Sequence, residues 1–271
     1  MTHFICRTCG TQFAESAVAP PACPICEDER QHVGYDGQLW TTLEELGSGH
    51  SNRIEEIEPC LTGIGTEPAF AIDQRALLVR TGEGNLLWDC ISLIDDETIT
   101  AIGELGGIAA IAISHPHYYS SMAEWSHAFD APVYLHAADR KHVMRPDPTI
   151  CYWEGETKRL FGELTLIRGG GHFEGGTMAH WPAGAGGKGA LLSGDIIQVV
   201  SDRRWVSFMY SYPNLIPLPA SEVRRIAATV EPFEFDRIYG AWWKRVVPEG
   251  GKEAVRRSAK RYVSHVEGGA R

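Results

Sequence analysis

Four short apolar runs in this chain lead to a histidine or an aspartate, and that recurrence constrains the fold more than any other feature. Asn85-Leu86-Leu87-Trp88 runs into Asp89, Ile111-Ala112-Ile113-Ser114 into His115, Leu164-Thr165-Leu166-Ile167 reaches His172 through a glycine run, and Ala190-Leu191-Leu192-Ser193-Gly194 runs into Asp195. Short apolar runs bounded by turn signals read as strands. Strands that each deliver an Asp or a His at one end assemble a metal site along one edge of a sheet.

The second of these runs continues as His115-Pro116-His117-Tyr118-Tyr119-Ser120. In an extended segment residues i and i+2 project to the same side, so both imidazoles can converge on one ion. Neutral imidazole is the commonest zinc ligand. An isolated His-x-His is as often a pair of loop residues making ordinary hydrogen bonds, and here the neighbouring strands weigh for the metal. His127, His136, His142 and His180 have no spacing that demands an ion and read as structural or surface groups.

The N-terminus carries an independent signal: Cys6-Arg7-Thr8-Cys9-Gly10, then Cys23-Pro24-Ile25-Cys26. Paired Cys-x-x-Cys knuckles at this spacing point to a four-thiolate metal site. So short a segment cannot hold itself together by apolar burial, so the metal supplies its folding energy. Disulfides are disfavoured because no apolar secretory segment precedes the knuckles. The segment resembles zinc ribbons and the short rubredoxin-like modules that end rubrerythrins. Four-sulfur tetrahedral geometry suits zinc or iron; zinc is favoured, since no partner redox cofactor is visible elsewhere. With its own ion, the ribbon is expected to unfold alone on Cys6→Ser, leaving the larger domain's metal in place.

The order of strands and ligands resembles the metallo-β-lactamase superfamily over roughly residues 59–247, and the resemblance implies an α/β fold of the αββα sandwich type. The family's first aspartate corresponds to Asp89, its His-x-His to His115 and His117, its glycine-flanked third histidine to His172 and its bridging aspartate to Asp195. Three positions depart from the pattern. The last two residues of His-x-His-x-Asp-His become Tyr119 and Ser120, and the C-terminal Gly-His becomes Tyr239-Gly240-Ala241-Trp242-Trp243, with Trp242 and Trp243 replacing the usual last histidine. All three missing ligands belong to the second metal of the family's dinuclear site. The resemblance therefore implies one zinc on His115, His117 and His172, with Asp195 as fourth ligand or proton acceptor and Asp89 as a buttress behind the ligands. Tyr119 either orients a substrate oxygen or fills the space of the absent metal.

The chain organises as a ribbon over 1–35, a connector over 36–58 and a metallo-β-lactamase-like domain over 59–271. Capped helices are expected from Asp95, over 121–129, from Ser221 and from Lys252. Phe208, Tyr210, Tyr212, Trp242 and Trp243 are expected to line a dry, narrow pocket for a small-molecule substrate. The formal charge of −10 over 271 residues argues against nucleic acid and against an anionic membrane surface, and Arg7 and Arg30 are the only Arg or Lys residues in positions 1–35. Met1 begins almost on the first knuckle, which leaves no room for a targeting peptide, and Cys60, Cys90 and Cys151 read as buried or half-buried thiols of a reducing, cytoplasmic compartment. A homo-oligomer is compatible with all of this. Two functions compete: a zinc-dependent hydrolase of a small ester, thioester, lactone or amide, and a non-hydrolytic metal-binding or redox module with iron in the ribbon.

Overall fold

The structure, a computed structural model, describes residues 1–269 and divides after Trp153 into two compact units. The first is built on a seven-stranded sheet. Its strands are β3 (Ser51–Glu58), β4 (Leu61–Glu67), β5 (Ala76–Thr81), β6 (Gly84–Trp88), β7 (Ala110–Ala112), β8 (Val133–His136) and β9 (Ile150–Trp153), in that spatial order. Strands β3 to β6 pair antiparallel through tight turns, whereas β6 to β9 pair parallel. Parallel neighbours need a crossover. The first crossover is the helix Asp96–Glu104, whose N-cap Asp95 accepts the Thr98 N–H at 2.8 Å. The second is Met122–Phe129, pinned where Trp125 Nε1 donates to the Ile91 carbonyl at 2.9 Å.

The N-terminal ribbon belongs to this same unit. Strand β1 (Ile5–Cys6) pairs with β2 (Trp40–Thr41), and Phe13 meets Trp40 edge-on at 4.9 Å. The stretch read as connector is ordered structure: β2, a helical turn Leu43–Gly47 held by a Thr42/Glu45 capping box, and then β3. Strand β3 escapes a pattern reading because it is an edge strand with exposed Glu55 and only partly buried Ile54. Cys60 and Cys151 are exposed rather than buried, the first in the β3–β4 turn and the second on the edge strand β9; Cys90 is buried as expected.

The second unit has a six-stranded sheet. Strands β10 (Thr157–Arg159), β11 (Thr165–Arg168), β12 (Thr177–Trp181) and β13 (Ala190–Gly194) run antiparallel in sequence order. Two small hairpins follow, β14 (Gln198–Val199) with β15 (Val206–Ser207) and β16 (Met209–Ser211) with β17 (Ile216–Pro217). The sheet then resumes with β18 (Arg237–Gly240), parallel to β13, and β19 (Val246–Val247). The helices Ala220–Val230 and Gly251–Val266 bury Val223, Ile226 and Val230, and Ala254, Val255 and Ala259, in one cluster with Leu191 and Ile238. Phe208, expected in a pocket, is a core residue of that cluster and meets the Tyr262 ring at 6.0 Å. It alternates with chain that turns outward, so its apolar face follows the core. No helix among the described residues is long and apolar enough to cross a membrane.

Ile226 is fully buried at the centre of this cluster. Ile226→Ala is expected to cost about 2–5 kcal/mol, read as a lower midpoint in urea unfolding at unchanged slope; a midpoint within error of wild type would contradict this account of the core.

Candidate metal centres

Cys6 stands at the end of β1, Cys9 follows a turn in which Gly10 N–H donates to the Cys6 carbonyl at 2.8 Å, and Cys23 caps the helical turn Pro24–Glu27 that carries Cys26. All four are buried, and their sulfurs lie within 4.8 Å of one another. The thiols are unbridged: Cys6 Sγ is 3.6 Å from Cys26 Sγ, and Cys9 Sγ is 3.7 Å from Cys23 Sγ. A tetrahedron with Zn–S of about 2.3 Å has sulfur–sulfur edges of about 3.8 Å, so the donor set fits such an ion. Gln38 Nε2 donates to Cys6 Sγ at 3.2 Å. Contacts with Cys23, Cys26 and Cys9 drive the Cys6 thiol far down, while the same crowding, led by Cys23, pushes Cys9 and Cys26 up. One thiolate is thus favoured at the expense of its neighbours, and deprotonating all four calls for a cation among them.

The pair His115 and His117 is assembled differently from the strand alternation that the spacing suggests. His115 is extended (φ −170°, ψ 171°), but Pro116 opens a 3-10 turn, Pro116–Tyr118, so His117 returns to the neighbourhood of His115 by turning rather than by pleating. The rings stand 5.1 Å apart, and both residues are buried. Behind them lies a relay. Asp89, one residue past β6, is 1% exposed; its Oδ1 accepts the Ser114 N–H at 2.7 Å, and Ser114 Oγ lies 2.9 Å from His115 Nδ1. A partner at Nδ1 makes Nε2 the ligating nitrogen and fixes the ring plane. Burial pushes the Asp89 carboxyl up to about 7 despite the Ser114 bonds, and its Oδ2 has no hydrogen-bond partner.

In the second unit, His172 follows Gly169-Gly170-Gly171. Gly171 has φ +81°, a left-handed conformation that favours glycine, and a Cβ there would also crowd Ile226 Cδ1 at 2.8 Å, on the helix Ala220–Val230. His172 Nδ1–H donates to the Tyr210 carbonyl at 2.6 Å, which again selects Nε2 as ligand. Tyr210 thus acts through its backbone, which no side-chain pattern in the sequence announces. Asp195, just past β13, is 4% exposed, and its carbonyl accepts the Tyr212 hydroxyl at 2.6 Å. Burial, then the Asp195 charge, holds that hydroxyl well above the usual tyrosine range. Trp242 and Trp243 are half-buried in the loop after β18, which is tied to the Asp195 strand where Ala241 N–H donates to the Gly194 carbonyl at 3.1 Å.

His115, His117 and His172 form a group whose candidate ligand nitrogens all lie within 4.8 Å of one another. Three neutral imidazoles suit zinc. Tyr119 is 2% exposed, and burial raises its hydroxyl well above the usual range; it lines a small cavity with Thr11, Gln12 and Arg145. Its surroundings include ribbon residues. Three other histidines have ordinary partners: His180 Nε2 with the Glu234 carbonyl at 2.8 Å, His127 with Asp147 at 2.9 Å, and His136 Nδ1 with Ala138 N–H at 3.2 Å.

No family model matches the chain. The uncharacterized protein YmaE of Bacillus subtilis (strain 168) is 53% identical over 265 residues, which cover 97% of this chain and 96% of that one. Similar solved structures include the metallo-β-lactamase DIM-1, with TM-score 0.59 at 14% identity over 80% of this chain and 98% of that one. Another is the metallo-β-lactamase FIM-1 from Pseudomonas aeruginosa in its mono-zinc form, with TM-score 0.58 at 14% identity over 78% and 96%. At such identities the likeness is one of fold.

Two outcomes test the relay. Asp89→Ala leaves the buried Ser114 N–H without its acceptor and is expected to weaken zinc binding at the histidines by about 10–100-fold, read by competition with a chelator. In the metal-free protein, a carboxyl raised from 3.8 to about 7 holds its proton when folded and has lost it when unfolded between those values. Its stabilising contribution is therefore complete at low pH and declines as pH rises through that window. Asp89→Asn should flatten that part of the pH–stability curve, and an unchanged curve would contradict the assignment.

Proposed function

The chain belongs to the family of YmaE and has the metallo-β-lactamase fold, and on that premise we propose that it is a metal-dependent hydrolase with a single zinc ion held by His115, His117 and His172. The observation that carries this reading is the group of three buried imidazoles, two of which have an Nδ1 partner that commits Nε2 to a ligand. Zinc bound there supplies Lewis-acid polarisation of a carbonyl oxygen and a lowered pKa for water.

The protein's own groups then set what the site accepts. The positions that would hold a second metal carry Tyr119, Ser120 and, for the C-terminal histidine, Trp242 or Trp243, none of which is a comparable ligand, and the fold tolerates one ion, as the mono-zinc form of FIM-1 illustrates. Clamping both attacking and leaving oxygens needs two ions, so phosphodiester cleavage is disfavoured. A small ester, thioester, lactone or amide fits the remaining chemistry. Asp195, buried just past β13, is the carboxylate for a fourth ligand or for accepting a proton from the attacking water. Tyr119, enclosed beside Thr11 and Gln12, serves as packing.

The ribbon is read as structural zinc. Protein prepared without added metal should carry zinc at the cysteines and one divalent ion at the histidines by elemental analysis. A red protein with thiolate-to-iron bands would turn the reading towards the redox module. Screening activated esters, thioesters and lactones should find activity that His117→Ala and His172→Ala abolish together with their zinc, and that Tyr119→Phe keeps. Activity that survives complete removal of the ion would sink the zinc mechanism.

A further inference from the structure

The sequence suggests a ribbon that is a satellite with its own ion, but its first knuckle is built into the segment that follows His117. Gly10 sits between Cys9 and the core: its carbonyl accepts Ser92 Oγ at 2.8 Å, its φ is +79°, and a Cβ on it would meet Ser92 Oγ at 2.6 Å. Ser92 in turn accepts, at its own carbonyl, the hydroxyl of Ser121. Two residues on, Gln12 N–H donates to the Ser120 carbonyl at 3.0 Å, and its side chain donates to Glu124 Oε1 at 3.1 Å and accepts from Arg145. Arg145 closes this network on Glu124 at 2.6 Å. Gln12 is 3% exposed and Thr11 1%. The loop that carries one ligand of the cysteine ion is therefore hydrogen-bonded directly to Ser120 and Glu124, and to Ser121 through Ser92.

Those residues are the continuation of the histidine turn. Ser120 has φ +45°, a left-handed conformation that a serine keeps only when its surroundings hold it. Its hydroxyl accepts Gln74 Nε2 at 3.1 Å and donates to the Cys90 carbonyl at 3.3 Å. The turn before it is short: Tyr118 N–H donates to His115 O at 3.0 Å, Tyr119 N–H to Pro116 O at 3.3 Å, and Met122 N–H to Tyr119 O at 3.0 Å. A chain reversal of seven residues has few bonds of its own, so its geometry is set by what grips its far end.

We infer that the four-cysteine ion is the positioning element of the His115–His117 turn. Binding of Cys6, Cys9, Cys23 and Cys26 to one ion fixes residues 10–12, these fix Ser120 and Ser121, and the 3-10 turn carrying His117 is held as a consequence. In dinuclear relatives, as the resemblance implies, a metal bound at positions 119 and 120 would grip this same end of the turn; here a protein-bound ion one loop away does so through hydrogen bonds. The inference rests on the zinc reading of the histidines for its affinity readout only.

The test uses the full chain, as wild type, Gly10→Ala and Cys6→Ser. Gly10→Ala keeps every thiolate but cannot keep the loop where it is, and it guards against the outcome that Cys6→Ser simply fails to fold. Two quantities are read: amide hydrogen exchange at Tyr118, Tyr119 and Met122, which needs no ion at the histidines, and the cobalt-substituted protein, in which thiolate charge-transfer bands report the ribbon, while the ligand-field bands that His117→Ala removes report the imidazoles. Gly10→Ala is expected to retain the thiolate bands, to speed exchange at the three amides by about tenfold or more, and to shift the ligand-field bands while zinc affinity at the histidines falls by about 10–100-fold. Cys6→Ser should do the same and lose the thiolate bands. Unchanged exchange in both variants overturns the inference, as does faster exchange with wild-type bands and affinity at the histidines. A wild type with thiolate bands alone would sink the zinc-hydrolase reading instead, and the exchange comparison would still decide this one.

Discussion

The hydrogen bond from Ser114 N–H to the buried Asp89 carboxylate is the constraint on which the first unit's chemistry depends. It joins the ends of two neighbouring parallel strands, β6 and β7, where the ladder itself has run out; Asp89 N–H donates back to Ala112 O at 2.9 Å, so the junction is bonded in both directions. Asp89 reaches this position at φ +59°, a left-handed conformation that costs a non-glycine residue about 1–2 kcal/mol. Burial adds a further cost, visible in a carboxyl raised to about 7. An acid kept under these two penalties and bonded to the residue before His115 holds Ser114 and, through the Ser114 hydroxyl, the His115 ring.

The two candidate ions are held by opposite strategies. The cysteine set is local: two tight turns each contribute a pair of sulfurs, and a short segment is organised about the ion. The histidine set draws on residues 115, 117 and 172, and each ring whose hydrogen bonds are described leans on a fixed oxygen, the Ser114 hydroxyl or the Tyr210 carbonyl. Pre-oriented imidazoles lose little freedom on binding a metal, which strengthens any site they form.

What the sequence made legible was local in origin. The knuckles, the Asp95 cap, the Thr42/Glu45 capping box and the apolar runs ending on Asp89, His115 and Asp195 each depend on residues a few positions apart, where spacing and chemistry are tied together. The order of those runs was enough to suggest the fold. What escaped was either carried by backbone or remote in sequence. Pro116 converts the expected strand alternation at His117 into a 3-10 turn; the Tyr210 carbonyl, not its ring, holds His172; and Phe208, in an aromatic run that suggested a pocket, belongs to the core with Tyr262. Edge strand β3 was hidden by its glutamates, which solvent accepts on one side of a sheet.

The departures at Tyr119 and Ser120 look, in sequence, like the loss of metal ligands. In the folded chain they are parts of another construction. Tyr119 shares a small cavity with Thr11, Gln12, Met144 and Arg145, so its ring fills space against the ribbon loop. Ser120 meets Gln74, Cys90 and Gln12 within hydrogen-bonding distance, and a Cβ on Gly10 would stand 3.7 Å from its hydroxyl. A carboxylate at 119 would be buried where burial already pushes a phenol's pKa well up. At this turn Tyr119 and Ser120 are thus committed to packing and hydrogen bonds with the ribbon loop, inside the same compact unit that holds Cys9 and His117.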